Sequence, residues 1–136
     1  MPKEDYLLKF LEKLSRVVAA MLGLREKGFP EDALRLADET FRELLDFNLA
    51  ELSVMPVEEF IGLVREKGYS PTYLEALAQL SLQSAETYIS MNQNGLARLF
   101  HVKALQLYYL LNEKDKTFSF EREIMISSLE EKTGKP

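Results

Sequence analysis

Few side chains in this sequence of 136 residues are of the types that carry out chemistry. Cys is absent, which excludes thiolate nucleophiles, disulfides, iron–sulfur clusters and Cys-ligated zinc. His101 is the only His, so the chain has no His pair for zinc and no Glu-x-x-His pair for a di-metal bundle. A lone His on an apolar helix is typical of a partly buried packing residue, and we favour that interpretation over catalysis.

The carboxylates do not suggest an acid–base pair either. Glu58-Glu59 and Glu130-Glu131 are pairs of adjacent residues, whose side chains diverge on a helix and cannot share one substrate. The first pair is better interpreted as negative charge that complements the dipole near a helix start. The sequence also lacks a Gly-rich phosphate loop and a Gly-x-Ser-x-Gly elbow. We therefore predict a protein that is not an enzyme and that binds no metal or cofactor.

The charge and hydropathy of the chain argue against two further classes of partner. The net charge is −5 and the basic residues are scattered, which disfavours binding to nucleic acid. The start, residues 1–5, is polar and acidic, and no apolar stretch follows it as in a secretory signal. The longest segment without a charged residue, 87–97, is far shorter than the ~20 apolar residues that span a bilayer. We predict a cytoplasmic protein.

These residues are carried by a succession of helices. Apolar residues recur at intervals of three and four, and no long segment alternates with period two, which predicts an all-α fold without a β-sheet. We expect one domain over residues 1–132 and a frayed tail at 133–136. About six helices joined by short turns favour packing as antiparallel hairpins. The predicted helices cover residues 4–27, 30–45, 57–67, 71–91, 96–112 and 120–132.

The helix boundaries have recognisable signals. Gly28 and Gly68 each follow a cationic turn and can adopt the left-handed conformation that ends a helix. Pro30 suits the first position of the next helix, and Ser70-Pro71 combines an N-cap with a first-position Pro. Residues 46–55 show no clean period, and no helix is predicted there.

Four residues in the second half of the chain have the spacing of a known repeat. Ala85 and Tyr88 lie in one predicted helix, and Ala97 and Ala104 lie in the next. This pattern resembles the tetratricopeptide repeat, a 34-residue helix–turn–helix unit with small residues where its two helices touch. The resemblance implies a right-handed array of helical hairpins.

A looser copy of the pattern lies in the first half. Ala20, Leu24 and Ala33 match it, whereas Met21 and Thr40 stand where small residues are usual, and neither copy has the Trp near its start. The resemblance covers about residues 14–45 and 78–110. Its two copies are 64 residues apart, as Ala33 and Ala97 show, so residues 46–69 form an atypical middle segment.

Taken whole, the chain is also similar to a small uncharacterised bacterial family of tetratricopeptide-like proteins. The residues that carry this similarity are Glu4-Asp5-Tyr6-Leu7, Arg16-Val17 and Gly23-Leu24. It implies no known activity.

The tetratricopeptide resemblance implies a binding groove lined by the first helix of each hairpin. The Lys/Asn/Arg set that clamps a peptide carboxylate in some members of the family is absent, because Val18, Leu22, Leu82 and Glu86 occupy those places. A largely apolar groove suits an amphipathic helix, so we predict an adaptor or scaffold that binds a protein or peptide. The predicted partner-binding residues are Val18, Leu22, Arg25, Gln79, Leu82, Gln83, Glu86 and Ile89.

Three alternatives stay open at this point. The groove could be filled by the chain itself, through the helix at 57–67 or the helix at 120–132. The apolar faces of residues 6–24 and 96–111 could form a homodimer. A small-molecule-binding helical bundle is the third alternative, with a pocket lined by Tyr73, Tyr88, Tyr108 and Tyr109.

Overall fold

The computed structural model describes the backbone of residues 3–134 and the side chains of residues 8–134. Residues 1–2 and 135–136 lie outside the described part, as do the side chains of residues 4–7, the tetrapeptide that suggested the bacterial family. Within residues 3–134 there are seven helices and no strand, which confirms the predicted all-α class. They are α1 (Lys3–Glu26), α2 (Pro30–Leu45), α3 (Leu49–Val54), α4 (Val57–Lys67), α5 (Pro71–Ser90), α6 (Asn94–Lys114) and α7 (Phe120–Thr133).

The predicted boundary signals act as expected. Pro30 is the first residue of α2, and Ser70 caps α5 by accepting a hydrogen bond from the Tyr73 N–H at 3.4 Å. Gly28 and Gly68 have φ of 90° and 63°, in the left-handed region where a residue without Cβ is not strained. The last predicted boundary differs slightly, because Thr133 lies in α7, where it is buried and its hydroxyl donates to the Leu129 carbonyl at 2.8 Å.

One helix has no counterpart in the sequence-based prediction. The α3 helix has only six residues, too few to show a period, and it lies within the unassigned segment 46–55. It is held by a capping box: Asn48 Oδ1 accepts from the Glu51 N–H, and the Glu51 carboxylate accepts from the Asn48 N–H, both at 2.8 Å. Asp38 of α2 accepts from the Leu49 N–H at 2.8 Å, which fixes this helix to its neighbour.

The α5 and α6 helices form the centre of the molecule. They are joined by three residues, 91–93, and pack against each other over their length. The α1 and α2 helices pack on α5, whereas α3, α4 and α7 pack on α6. Most of the large apolar residues of α6 are therefore buried within the chain, although Leu99 is 41% exposed. Phe100 illustrates this packing, with Phe41 and Tyr88 at ring-centroid distances of 6.2 and 5.7 Å.

Candidate functional site

The residues predicted to bind a partner lie on neighbouring faces of α1 and α5, but they differ in accessibility. Leu22 and Ile89 are 41% and 40% exposed, and Gln79 is exposed. Leu82 is only 9% exposed and belongs to the hydrophobic core. The other four residues are half-buried, so each can contribute some atoms to a binding surface. They are Val18, Arg25, Gln83 and Glu86.

Arg25 joins α1 to α5 in the middle of this face. Its guanidinium donates to Gln83 Oε1 at 2.8 Å and to Thr87 Oγ1 at 3.2 Å. The Thr87 hydroxyl in turn donates to the Gln83 carbonyl at 2.7 Å. All these acceptors are neutral, and no described carboxylate lies within 4.0 Å of Arg25. Its positive charge is thus held in a fixed position without a counter-ion from the described chain.

Glu86 joins α5 to the two helices that follow it. Its carboxylate accepts from Lys132 Nζ of α7 at 2.9 Å and lies 3.4 Å from His101 Nε2 of α6. Burial raises the pKa of Glu86, but the hydrogen bonds and charges of Lys132 and His101 outweigh burial, and its pKa is lowered. Of the two helices considered for filling the groove, α7 makes this contact with α5, whereas α4 packs on α6.

His101 is buried, with 4% of its surface exposed, as expected for a lone His on an apolar helix. Burial lowers its pKa below 6.5, although the Glu86 carboxylate acts in the opposite direction. The ring is therefore neutral near pH 7. Its side-chain partner among the described residues is the Glu86 carboxylate, and its burial is that of a packing residue.

An open cavity of about 350 Å³ lies beside this cluster, at the end of α5. Its walls are mainly apolar, and cationic or neutral polar groups stand around them. This arrangement suits an apolar side chain that carries a negative or hydrogen-bonding group nearby. The cavity is lined by Ile89, Asn94, Ala97, Arg98, His101 and Lys132.

The four Tyr residues considered for a ligand pocket make different contacts. The Tyr73 ring stacks on that of Tyr69 at 5.2 Å between centroids, while Tyr88 stacks on Phe100. Tyr108 is buried, and burial together with Glu75 raises its pKa to about 12. The Tyr109 hydroxyl donates a hydrogen bond to the Glu130 carboxylate of α7. These side chains stabilise contacts between helices.

Lys103 is a buried cation that sequence reasoning did not single out. It is 2% exposed, and its ammonium donates to the Met55 carbonyl at 2.9 Å. The rings of Phe60 and Phe100 lie close to the ammonium, with centroids 5.7 and 5.8 Å from Nζ. Burial lowers the Lys103 pKa. The only sequence signal was a Lys within an otherwise apolar helix.

Metal binding and membrane insertion are two further possibilities for the described residues. No group of three His, Asp or Glu side chains there is arranged so that it could hold a metal ion. None of the helices between residues 3 and 134 combines the length and apolarity needed to cross a membrane.

The protein is therefore all-α, it is built from packed helical hairpins, and it carries a partly apolar surface across α1 and α5. Comparison of the chain with protein-family models, curated proteins and solved structures gave no match.

Proposed function

We propose that this protein is a non-catalytic interaction module that binds an amphipathic helix or peptide of another protein on the face shared by α1 and α5. The observation that supports this function is the exposure of Leu22 and Ile89 on two packed helices. Around them, Arg25 and Gln83 are held by hydrogen bonds, so the surface is ordered before binding. The tetratricopeptide-like arrangement and the cytoplasmic, bacterial setting belong to the same proposal.

The face offers contacts that suit a helix with one apolar side. Apolar side chains of a partner helix can pack against Leu22 and Ile89, and the cavity beside Ile89 can hold one further apolar side chain of that helix. Arg25 and, at the cavity, Arg98 are in no ion pair with a described residue, and they favour a partner that carries carboxylates on its flanks.

The proposal is tested by affinity capture from a lysate of the source organism with paired variants. The face variant combines Leu22→Asp with Ile89→Asp. The control combines Leu99→Asp with Val54→Asp, because these residues are 41% and 80% exposed and lie on α6 and α3 rather than on α1 or α5. Leu82 is unsuitable for the test, since a polar residue there would disturb the core.

A partner captured by the wild type and the control, and lost from a face variant with unchanged circular dichroism, is the expected result. The same set of captured proteins for all three chains would contradict the proposal. The homodimer and the small-molecule-binding bundle remain alternative predictions, addressed by light scattering and by a thermal-shift screen with metabolites.

A further inference from the structure

The α7 helix carries a second surface, on the side that faces away from the core. Phe118, Phe120 and Ile124 are 74%, 69% and 55% exposed, and they fall within seven consecutive residues. A cluster of large apolar side chains in water is unusual on a monomeric protein, whereas exposed apolar residues that occur singly are common.

The helical geometry explains why the chain leaves this surface open. At 100° per residue, Ile124 lies about 40° from Phe120 around the helix axis. Ile126 and Leu129 lie about 240° and 180° from Phe120, and they are the residues buried against the rest of the molecule. The face with Phe120 and Ile124 therefore points directly away from the core. We call Phe120 and Ile124 the α7 outer face; Phe118 lies two residues before the helix begins.

Unpaired carboxylates surround the α7 outer face. Glu121 and Glu123 flank it at about +100° and −60° from Phe120, and Glu131 lies about 20° from Phe120, about three turns further on. None of the three is in an ion pair with a described residue, in contrast to Glu86, which pairs with Lys132. Two exposed cations, Lys114 and Lys116, precede the helix and are not paired with these carboxylates.

We propose that the α7 outer face docks a basic amphipathic helix of another protein. Apolar side chains of that helix would cover Phe120 and Ile124, and its Lys or Arg residues would approach Glu121 and Glu123. The flanking charges argue against a second copy of this chain, because a two-fold antiparallel contact across Ile124 would bring like carboxylates together. An anionic membrane is disfavoured for the same reason.

The test uses a fluorescein-labelled model peptide of ~14 residues that contains only Leu and Lys in an amphipathic helical pattern. Fluorescence anisotropy measures its binding to the full chain at about 0.01 M and about 0.15 M salt, where the Debye length falls from ~30 to ~8 Å. We expect saturable binding that weakens as salt rises. A matched peptide of Leu and Glu is expected not to bind.

Two variants of the α7 outer face separate the apolar and charged contributions. Phe120→Ser with Ile124→Ser is expected to weaken binding at least about tenfold, the size of effect seen for central apolar contacts of an interface. Glu121→Gln with Glu123→Gln is expected to weaken binding about threefold at low salt and to reduce the salt dependence. Both substitutions are on exposed positions, and circular dichroism checks that the helices are retained.

Matched controls guard against general attraction of a basic peptide to an acidic protein. Glu58→Gln with Glu59→Gln removes the same charge from exposed positions on α4, and Val54→Ser removes an apolar residue that is 80% exposed. Neither is expected to change the affinity more than about twofold. Equal losses in the control and face variants would overturn the proposal.

Further outcomes are equally decisive. Retention of full affinity by the Phe120→Ser, Ile124→Ser variant would overturn the proposal, as would light scattering that shows the wild type dimerising and this variant not. The Leu22→Asp, Ile89→Asp variant is expected to bind the basic peptide as the wild type does. Failure of this proposal and failure of the α1–α5 function would therefore be distinguishable.

Discussion

At the scale of single residues, Lys103 shows how a charge can be kept inside a small helical protein. Its ammonium loses most of its hydrating water on folding. In place of that water it contacts the Met55 carbonyl and the rings of Phe60 and Phe100. Met55 is also the C-cap of α3, where exposed carbonyls concentrate negative partial charge. Lys103 thereby attaches the middle segment of the chain to α6. An uncompensated charge would be far more costly at this depth.

Replacement of Lys103 by an apolar residue of similar length tests whether the contacts of its ammonium offset the cost of burying the charge. Lys103→Met removes the desolvated charge but leaves the Met55 carbonyl without its donor, so we expect a free energy of unfolding within about 1 kcal/mol of the wild type at pH 7. Urea denaturation provides the measurement. A loss well above that value would mean that the carbonyl and aromatic contacts outweigh the cost of burial.

The pH dependence of the same variant has a definite sign. Because burial lowers the Lys103 pKa, the unfolded chain binds more protons than the folded chain between that lowered value and about 10.4. Wild-type stability should therefore gain, relative to Lys103→Met, as pH rises from about 7 to about 10. The Tyr residues affect both chains equally. A stability difference independent of pH would contradict the expectation.

His101 and Glu86 should make the contact between α5, α6 and α7 sensitive to acid. The His101 pKa is lowered, so stability falls as pH decreases from about 6.5 towards that lowered value. The Glu86 pKa is also lowered, and its contribution is lost as pH falls further, below about 4.3. Thermal melts should show a smaller loss between pH 7.5 and pH 5 for His101→Gln than for the wild type. Equal losses would assign the acid sensitivity to other groups.

At the scale of elements, the local chemistry of the helix ends was the most predictable feature. Ser70, Pro30 and Gly68 act through their own backbone and side-chain properties, so their roles are visible without knowledge of the fold. The α3 helix was missed because six residues show no period, although Asn48 and Glu51 have the spacing of a capping box. Short helices depend on such caps and on neighbours rather than on amphipathicity.

Gly62 offers a test at this scale. It lies inside α4, it is exposed, and a Cβ built at this position would meet nothing within 4 Å. Gly62→Ala should therefore stabilise the protein by about 0.5–1 kcal/mol, because Ala loses less backbone entropy on entering a helix. Gly68→Ala is the matched control and should destabilise it, since φ is +63° there. Urea midpoints measure both, and an unchanged or lowered midpoint for Gly62→Ala would contradict this view of α4.

At the scale of the whole molecule, the candidate site was predictable only in outline. The tetratricopeptide resemblance placed Arg25 and Gln83 on the two helices that line one groove, and the two side chains are in contact. It did not distinguish buried Leu82 from exposed Ile89, since that depends on which helices cover each side of α5. The sequence also did not reveal that Phe120 is exposed, because that too depends on which helices cover each side of α7. Periodicity identifies an apolar face, but only the packing decides whether another part of the chain covers it.

The packing around α6 also bears on the oligomeric state of the protein. The apolar surface of α6 first suggested a homodimer, but α3, α4, α5 and α7 pack around that helix, and most of its large apolar residues are buried. The acidic flanks of the α7 outer face and the net charge of −5 disfavour pairing of two copies. We therefore expect light scattering at about 10 μM, a concentration at which an interface of ordinary affinity is occupied, to give a mass near 15.7 kDa. A mass twice as large would mean that α1 or α7 covers its exposed apolar residues with a second copy, and both docking proposals would then lose the accessible surface that they require.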